Sequence, residues 1–411
     1  MFARPSPPSA LLVLVSCAAL GSAACAGAAA AAGAPITYDD GKKRETEQLK
    51  PFKVTLAHSR DVIEVDALVE PKVTVDEEGG TKVDITYAKD EPPLQCLVAP
   101  RFVTAGALLR NVANSLLSTS KPKGYLIGVA GTPQAPSLSM KMLLEVPEDG
   151  KAVLVEWKVA LAYFGSGTVL CQTATVGYDG TLQRIFDKLR QSSFAKTKDA
   201  PVYADLSVAK KGDFVVGFEW TRAYAEAGEL RTVAYTSVFG MGTEGFLGVD
   251  QVIAETTSDK GELLVHIHAS DSRTSAQTLT IRSSTASDSK IRSSKGAVFE
   301  LTIGEEEAKG SVDGLPTSVL QRANTLKRVA KGSPRPGVLR VTDVGGGVAS
   351  GNIVTIKDVA VTREGERSVI LAESDGHMRC EVDDDGRCSK YSKGSLTFER
   401  LARFGQFPKV P

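Results

Sequence analysis

Residues 368–391 read SVILAESDGHMRCEVDDDGRCSKY. Three short runs, Ser368–Ala372, His377–Val382 and Arg387–Tyr391, are divided by Ser374-Asp375-Gly376 and Asp384-Asp385-Gly386. Asp-Gly between alternating runs is a hairpin signal, so the stretch predicts an antiparallel meander. Gly351–Thr362 joins it upstream across Arg363-Glu364-Gly365. Cys380 and Cys388 stand symmetrically about the second turn. Facing each other across a hairpin, their Cα atoms fall within the ~4.4–6.8 Å that a disulfide allows.

Upstream of the meander, Asp213–Thr221, Glu229–Phe239, Leu263–Ala269, Thr278–Arg282, Val298–Thr302 and Leu339–Asp343 read as strands. One helix, Thr317 to Lys331, is framed by Pro316 and Gly332. From Pro51 to about Ser193 short β-branched runs (Phe52–Ala57, Val62–Val69, Lys72–Asp76, Lys82–Ala88) precede a helix that Thr104 can cap, with Leu108, Leu109, Val112, Leu116 and Leu117 at helical spacing. Strands follow at Gly124–Val129, Leu138–Val146, Val153–Tyr163 and Val169–Gly177. A second helix starts at Asp179 and aligns Leu182, Ile185, Phe186 and Leu189 on one face.

The expected class is therefore α+β and β-rich. An antiparallel-sheet domain with helices packed on it covers 51–195, a polar linker covers 196–205, and a second, mostly β domain covers 206–411 and ends in the disulfide-linked meander, with a division near 332 as an alternative. The segment TVLCQTATVGYDGTLQRIFDKLRQSSF (168–194) resembles the last strand and helix of PsbP- and Mog1-like α/β/α sandwich domains, a likeness confined to about 140–195. That resemblance implies a binding or assembly module more often than an enzyme, and it brings no functional residue with it.

The N-terminus reads MFARPSPPSALLVLVSCAALGSAACAG, with Arg4, an apolar run from Ala10 to Leu20 and then small residues. This is the layout of a secretory signal over 1–25, followed by an Ala/Gly-rich and polar tether over 26–50. The run is shorter than the ~20 residues a transmembrane helix needs. Leu14-Val15-Ser16-Cys17 resembles the lipobox of bacterial exported lipoproteins, and Ser22-Ala23-Ala24-Cys25 is a second, less regular match. The resemblance implies lipidation at Cys17 or Cys25 and a place on the periplasmic face of the outer membrane, held by the lipid anchor alone. Plain cleavage without a lipid is the alternative.

Four further cysteines, Cys96, Cys171, Cys380 and Cys388, suit an oxidising compartment. If Cys380 pairs with Cys388, Cys96 is left to Cys171. Their spacings of 75, 209 and 8 match no usual zinc pattern.

Lys+Arg 49 against Asp+Glu 49 and 6% aromatic residues argue against nucleic acid as a partner. His266-Ile267-His268 is the one metal-like constellation: in a strand the two imidazoles share a face, with Asp271 or Glu262 as a third ligand. The competing reading is a solvated face opposite Leu263, Val265 and Ile267. Ser118-Thr-Ser-Lys121 and Ser193-Phe-Ala-Lys196 match a Ser-x-x-Lys string but fall at helix ends without its partner motifs. Gly345 to Gly351 lacks the Lys-Ser/Thr of a phosphate loop. The acid clusters at Asp76, Glu305 and Asp383 read as solvated turns, and Ser272–Lys295 as an exposed basic hairpin. No cofactor is implied. The expectation is a non-enzymatic envelope module that binds an envelope protein or a surface polymer. The alternatives are a lipid carrier or lipoprotein-sorting factor and, more remotely, a metal-dependent hydrolase using His266 and His268.

Overall fold

A computed structural model describes residues 49–87, 92–118, 120–148, 151–164, 167–174, 179–192, 200–226, 228–242, 245–272, 275–283, 297–344, 354–373 and 376–408. Cys17, Cys25, the tether up to residue 48, the glycine-rich stretch 345–351 and most of the basic 272–295 segment lie outside these residues.

The described chain is β-rich and antiparallel. A hairpin of β1 (Lys50–Thr55) and β2 (Val62–Ala67) precedes a seven-stranded sheet. That sheet contains β3 (Lys72–Val75), β4 (Thr81–Ile85), β5 (Leu94–Ala99), β6 (Lys121–Thr132), β7 (Ala135–Glu148), β8 (Lys151–Phe164) and β9 (Gly167–Thr173), in the order β3-β4-β5-β9-β8-β7-β6. Helices α1 (Ala105–Leu117) and α2 (Asp179–Gln191) lie on opposite faces of it. Under α2 and the β1–β2 hairpin sit Ile63, Val65, Leu182, Ile185, Phe186 and Leu189, packed over the Cys96–Cys171 disulfide. These two cysteines are direct partners in the β5–β9 ladder, with Cα atoms 4.1 Å apart. The strand carrying Cys96 is absent from the sequence reading, because Leu94–Ala99 is buried on both sides and shows no alternation.

The remaining strands form one fourteen-stranded sheet. β10 (Tyr203–Lys211), β11 (Phe214–Glu226), β12 (Glu229–Gly242), β13 (Gly245–Ser258), β14 (Leu263–Asp271), β15 (Ala276–Ser283), β16 (Ala297–Ile303) and β17 (Glu306–Val312) run as a meander. After α3 (Val319–Ala330) a second meander follows: β18 (Gly337–Val344), β19 (Val354–Arg363), β20 (Ser368–Glu373), β21 (Gly376–Val382), β22 (Cys388–Lys393) and β23 (Leu396–Gly405). The last strand, β23, pairs antiparallel with the first, β10, and fuses the two. Tyr203 to Asp205, expected in the linker, thus open a central strand. The polar signal there came from Asp205, which is buried against arginines.

The sheet curls until its ends overlap. Leu279, Ile281, Phe299 and Leu301 pack on Val344, Val354 and Ile356, while α3 covers Leu339, Val359 and Val361, which alternate onto the other face of the β18–β19 hairpin. In the 380–388 hairpin the expected symmetry is broken by a bulge: Cys388 stands opposite Val382 and Cys380 opposite Tyr391, so the disulfide crosses diagonally, Cα to Cα 5.4 Å.

One core joins the two sheets. Leu108, Leu109 and Val112 of α1, Met140, Met142, Trp157 and Leu161 of the smaller sheet, and Leu206, Phe218, Trp220, Tyr235 and Phe246 of the larger pack together. At its rim the N-terminus of α1 is capped from 143 and 144 residues away. Asp250 accepts from the Gly106 and Ala107 amides at 3.0 and 2.9 Å, and from the Tyr235 and Ser237 hydroxyls at 2.8 and 2.7 Å. Thr104 sits at the N-cap position, yet its side chain makes no capping bond to the helix. A Cβ on Gly106 would collide with the Asp250 carboxylate, and one on Gly248 with Gly106, so the approach requires glycine on both sides.

Two outcomes follow for stability. Asp250→Ala strands two helix amides and two hydroxyls, and urea unfolding is expected to show a loss of about 3 kcal/mol or more. Removing Cys96–Cys171 (Cys96→Ala with Cys171→Ala) should cost about 4 kcal/mol and removing Cys380–Cys388 about 2.5, from the lengths of the loops they close. Equal losses in denaturant would refute that ordering.

Candidate functional site

Alternation along β14 turns His266 and His268 inward, not toward solvent. His266 is buried and its Nδ1 lies 3.1 Å from Glu255 Oε1, directly across the β13–β14 ladder. The other oxygen of Glu255 accepts the Val319 amide at 2.6 Å, so this carboxylate also caps α3, beside the Ser318–Gln321 capping box. His268 Nε2 sits 2.6 Å from Gln251 Nε2. Asp271 is on the opposite face of β14, ion-paired to Arg110 at 2.7 Å. The His266, His268, Asp271 set is therefore not assembled, and among the described residues no group of three metal-ligating side chains converges.

The Asp383–Asp385 turn differs from its sequence reading too. Asp383 accepts the amides of Asp385 and Arg387 at 2.9 Å each and the Arg400 guanidinium at 2.6 Å; Asp385 meets Arg403 at 3.2 Å. Burial alone would raise the Asp383 pKa, but these donors outweigh it and hold the carboxyl below its usual range. Arg387 and Arg400 also lie 3.7 and 3.6 Å from Asp205, which accepts the Tyr203 hydroxyl at 2.5 Å. Nearby, burial raises the pKa of Glu219, which accepts the Tyr391 phenol at 2.7 Å. This hub is a structural clamp on β10, β11 and β23.

The polar groups less committed to the core gather instead at a groove of about 900 Å³ beside the edge strand β18. Val338 and Ile356 give it apolar contact; Asp313, Thr317, Gln321, Thr325, Arg340 and Asp358 supply donors and acceptors. The segment before α3 builds one wall. Thr317 pads the strand edge, its amide donating to Arg340 O at 2.8 Å and its hydroxyl accepting the Arg340 amide at 2.6 Å. The Arg340 guanidinium donates to Asp313 O at 2.9 Å, across a space that only a glycine at 314 (φ +85°) leaves open. The lining carries one cation, Arg340, and two carboxylates, Asp313 and Asp358. Sequence reasoning missed it, since its members come from a turn, a helix flank and an edge strand with no common spacing.

Compared with family models, curated proteins and solved structures, the chain matches none of them. Among the described residues no helix is long and apolar enough to cross a membrane.

Burial, then the charges of His266 and Lys393, lower the His268 pKa from 6.5 to about 4. The unfolded chain therefore binds the extra proton first: the stability this histidine supplies is complete above pH 6.5 and lost as pH falls toward 4, by up to roughly 3 kcal/mol. The stability gap between wild type and His268→Asn should shrink between pH 7 and 4.5 in urea titrations; a pH-independent gap would contradict the assignment.

Proposed function

We propose that this chain is an exported, lipid-anchored protein of the bacterial envelope that binds and does not catalyse, built from a helix-covered sheet unit over 51–195 and a mostly β unit over 206–411. Its lipid sits on Cys17 or Cys25, and its groove at Arg340 takes an extended segment of an envelope protein or a surface polymer. The observation that carries this reading is the contrast between the groove and the interior. The buried acids Asp250, Glu255, Asp205 and Asp271 are tied to helix ends or arginines, whereas Arg340 and Asp358 stay exposed on an open groove beside Thr325. The two disulfides are compatible with an oxidising compartment.

A lipid carrier is the second reading, favoured by one observation. Leu247 and Val249 alternate onto the same face of β13 as Gln251 and Glu255, beyond the end covered by α3, and remain 38% and 48% exposed. Native mass spectrometry on protein taken gently from its own envelope separates the two. The binding module predicts an acylated N-terminus without a passenger lipid, and capture of a polymer or peptide that Gln321→Arg with Thr325→Arg abolishes while the circular dichroism spectrum is unchanged. A stoichiometric lipid that survives those changes would displace it in favour of the carrier.

A further inference from the structure

Arg222 of β11 is a cation without an acid. Its side chain is partly exposed, but its Nε is sealed from solvent and has no hydrogen-bond partner. Among the described residues no carboxylate lies within ion-pair reach of it, whereas Arg110, Arg387, Arg400 and Arg403 each meet one. Its guanidinium lies 3.8 Å from the centroid of the Trp220 ring, with Phe102 at 5.9 Å and Tyr224 at 6.0 Å. Burial lowers its pKa; the Tyr224 phenol opposes this by its charge and by a hydrogen bond with the guanidinium, and the nearby charge of Arg231 adds to the lowering.

Ladder geometry makes this a cluster. Arg222 stands opposite Val233 and Tyr224 opposite Arg231, so Arg222, Tyr224 and Arg231 share one face of two neighbouring strands. Arg231 is exposed, and among the described residues no ion pair engages it. Stacking on an indole stabilises the Arg222 guanidinium, but it satisfies none of its N–H groups.

We propose that Arg222, Arg231 and the Tyr224 hydroxyl form a binding site for a phosphate group, either as a soluble phosphate or as the headgroup of an anionic lipid. A guanidinium stacked on Trp220 offers its outer N–H donors to the oxygens of one tetrahedral anion, and the second arginine matches its second charge. The site is separate from the Arg340 groove and stands whether or not that groove binds a polymer.

The test uses the full chain and its own reporter, since Trp220 is one of only two tryptophans. Sodium phosphate is titrated against sodium chloride at matched ionic strength while tryptophan emission is followed. The expected result is a saturable change with phosphate alone, its affinity lowered at least about tenfold in Arg222→Gln and several-fold in Arg231→Gln. An equal response to chloride, or no loss in either variant, means an adventitious ion only and overturns the site. Should Arg222→Gln fail to fold, the exposed Arg231→Gln carries the comparison. Sedimentation with phosphatidylglycerol against phosphatidylcholine vesicles then distinguishes the sources. Phosphate-competed binding to the former points to a lipid headgroup, and binding of phosphate without vesicles points to a soluble ligand.

Discussion

The contact on which the rest of the architecture depends is the cap that Asp250 places on α1. A helix N-terminus buried in an apolar core must find acceptors for its first amides, and Thr104 makes no such bond. The acceptor is instead a carboxylate on β13 of the other sheet, itself buried and held by Tyr235 and Ser237. Burial raises the pKa of Asp250, and the hydrogen bonds from Ser237, Tyr235 and Gly106 offset part of that. The contact fixes the smaller sheet against the larger in one register, because Gly106 and Gly248 allow the approach and any side chain there would block it. Around it the aromatic rings of Phe102, Tyr163, Trp220 and Tyr235 interlock at centroid distances of 5.0 to 6.0 Å.

A second constraint closes the larger sheet. β23 must find β10 across nearly 200 residues, and main-chain pairing alone does not specify that partner. The specification is electrostatic: Arg400 and Arg403 of β23 reach the Asp383–Asp385 turn, while Arg387 and Arg400 reach Asp205 of β10. A charged turn that would cost little in water becomes the fixed point of the closure. Separating any one partner leaves the others buried and unpaired.

The sequence carried the elements whose signals are local. The Cys380–Cys388 pairing, the start of α2 at Asp179 and the 368–391 meander are legible because turn residues and alternation sit within a few positions of one another, and Cys96–Cys171 followed only as the pair left over. Strands buried on both faces or polar on one escaped: Leu94–Ala99 lacks alternation, Gly245–Ser258 is glycine-rich and polar, and Leu396–Gly405 carries three charges that serve the clamp. Two inversions share a cause. His266 and Asp383 look like solvent-facing residues by type, and only partners 11 to 17 residues away, Glu255 and Arg400, draw them out of solvent. No single-sequence period encodes that pairing.

This division of charge gives Arg222 its meaning. In a chain whose interior repeatedly matches acid to base, an arginine stacked on Trp220 with no carboxylate in reach among the described residues departs from that pattern. A purely structural position there would tolerate methionine, which fills the same volume over the indole without desolvating a charge. A guanidinium adds donors to that volume, and Arg231 lies on the same face of the neighbouring strand. A guanidinium stacked on an indole, a second cation on the same face and no carboxylate in reach among the described residues are the components of anion recognition. Their placement on the face that Trp220 shares with the common core also couples any ligand there to the packing that joins the two sheets.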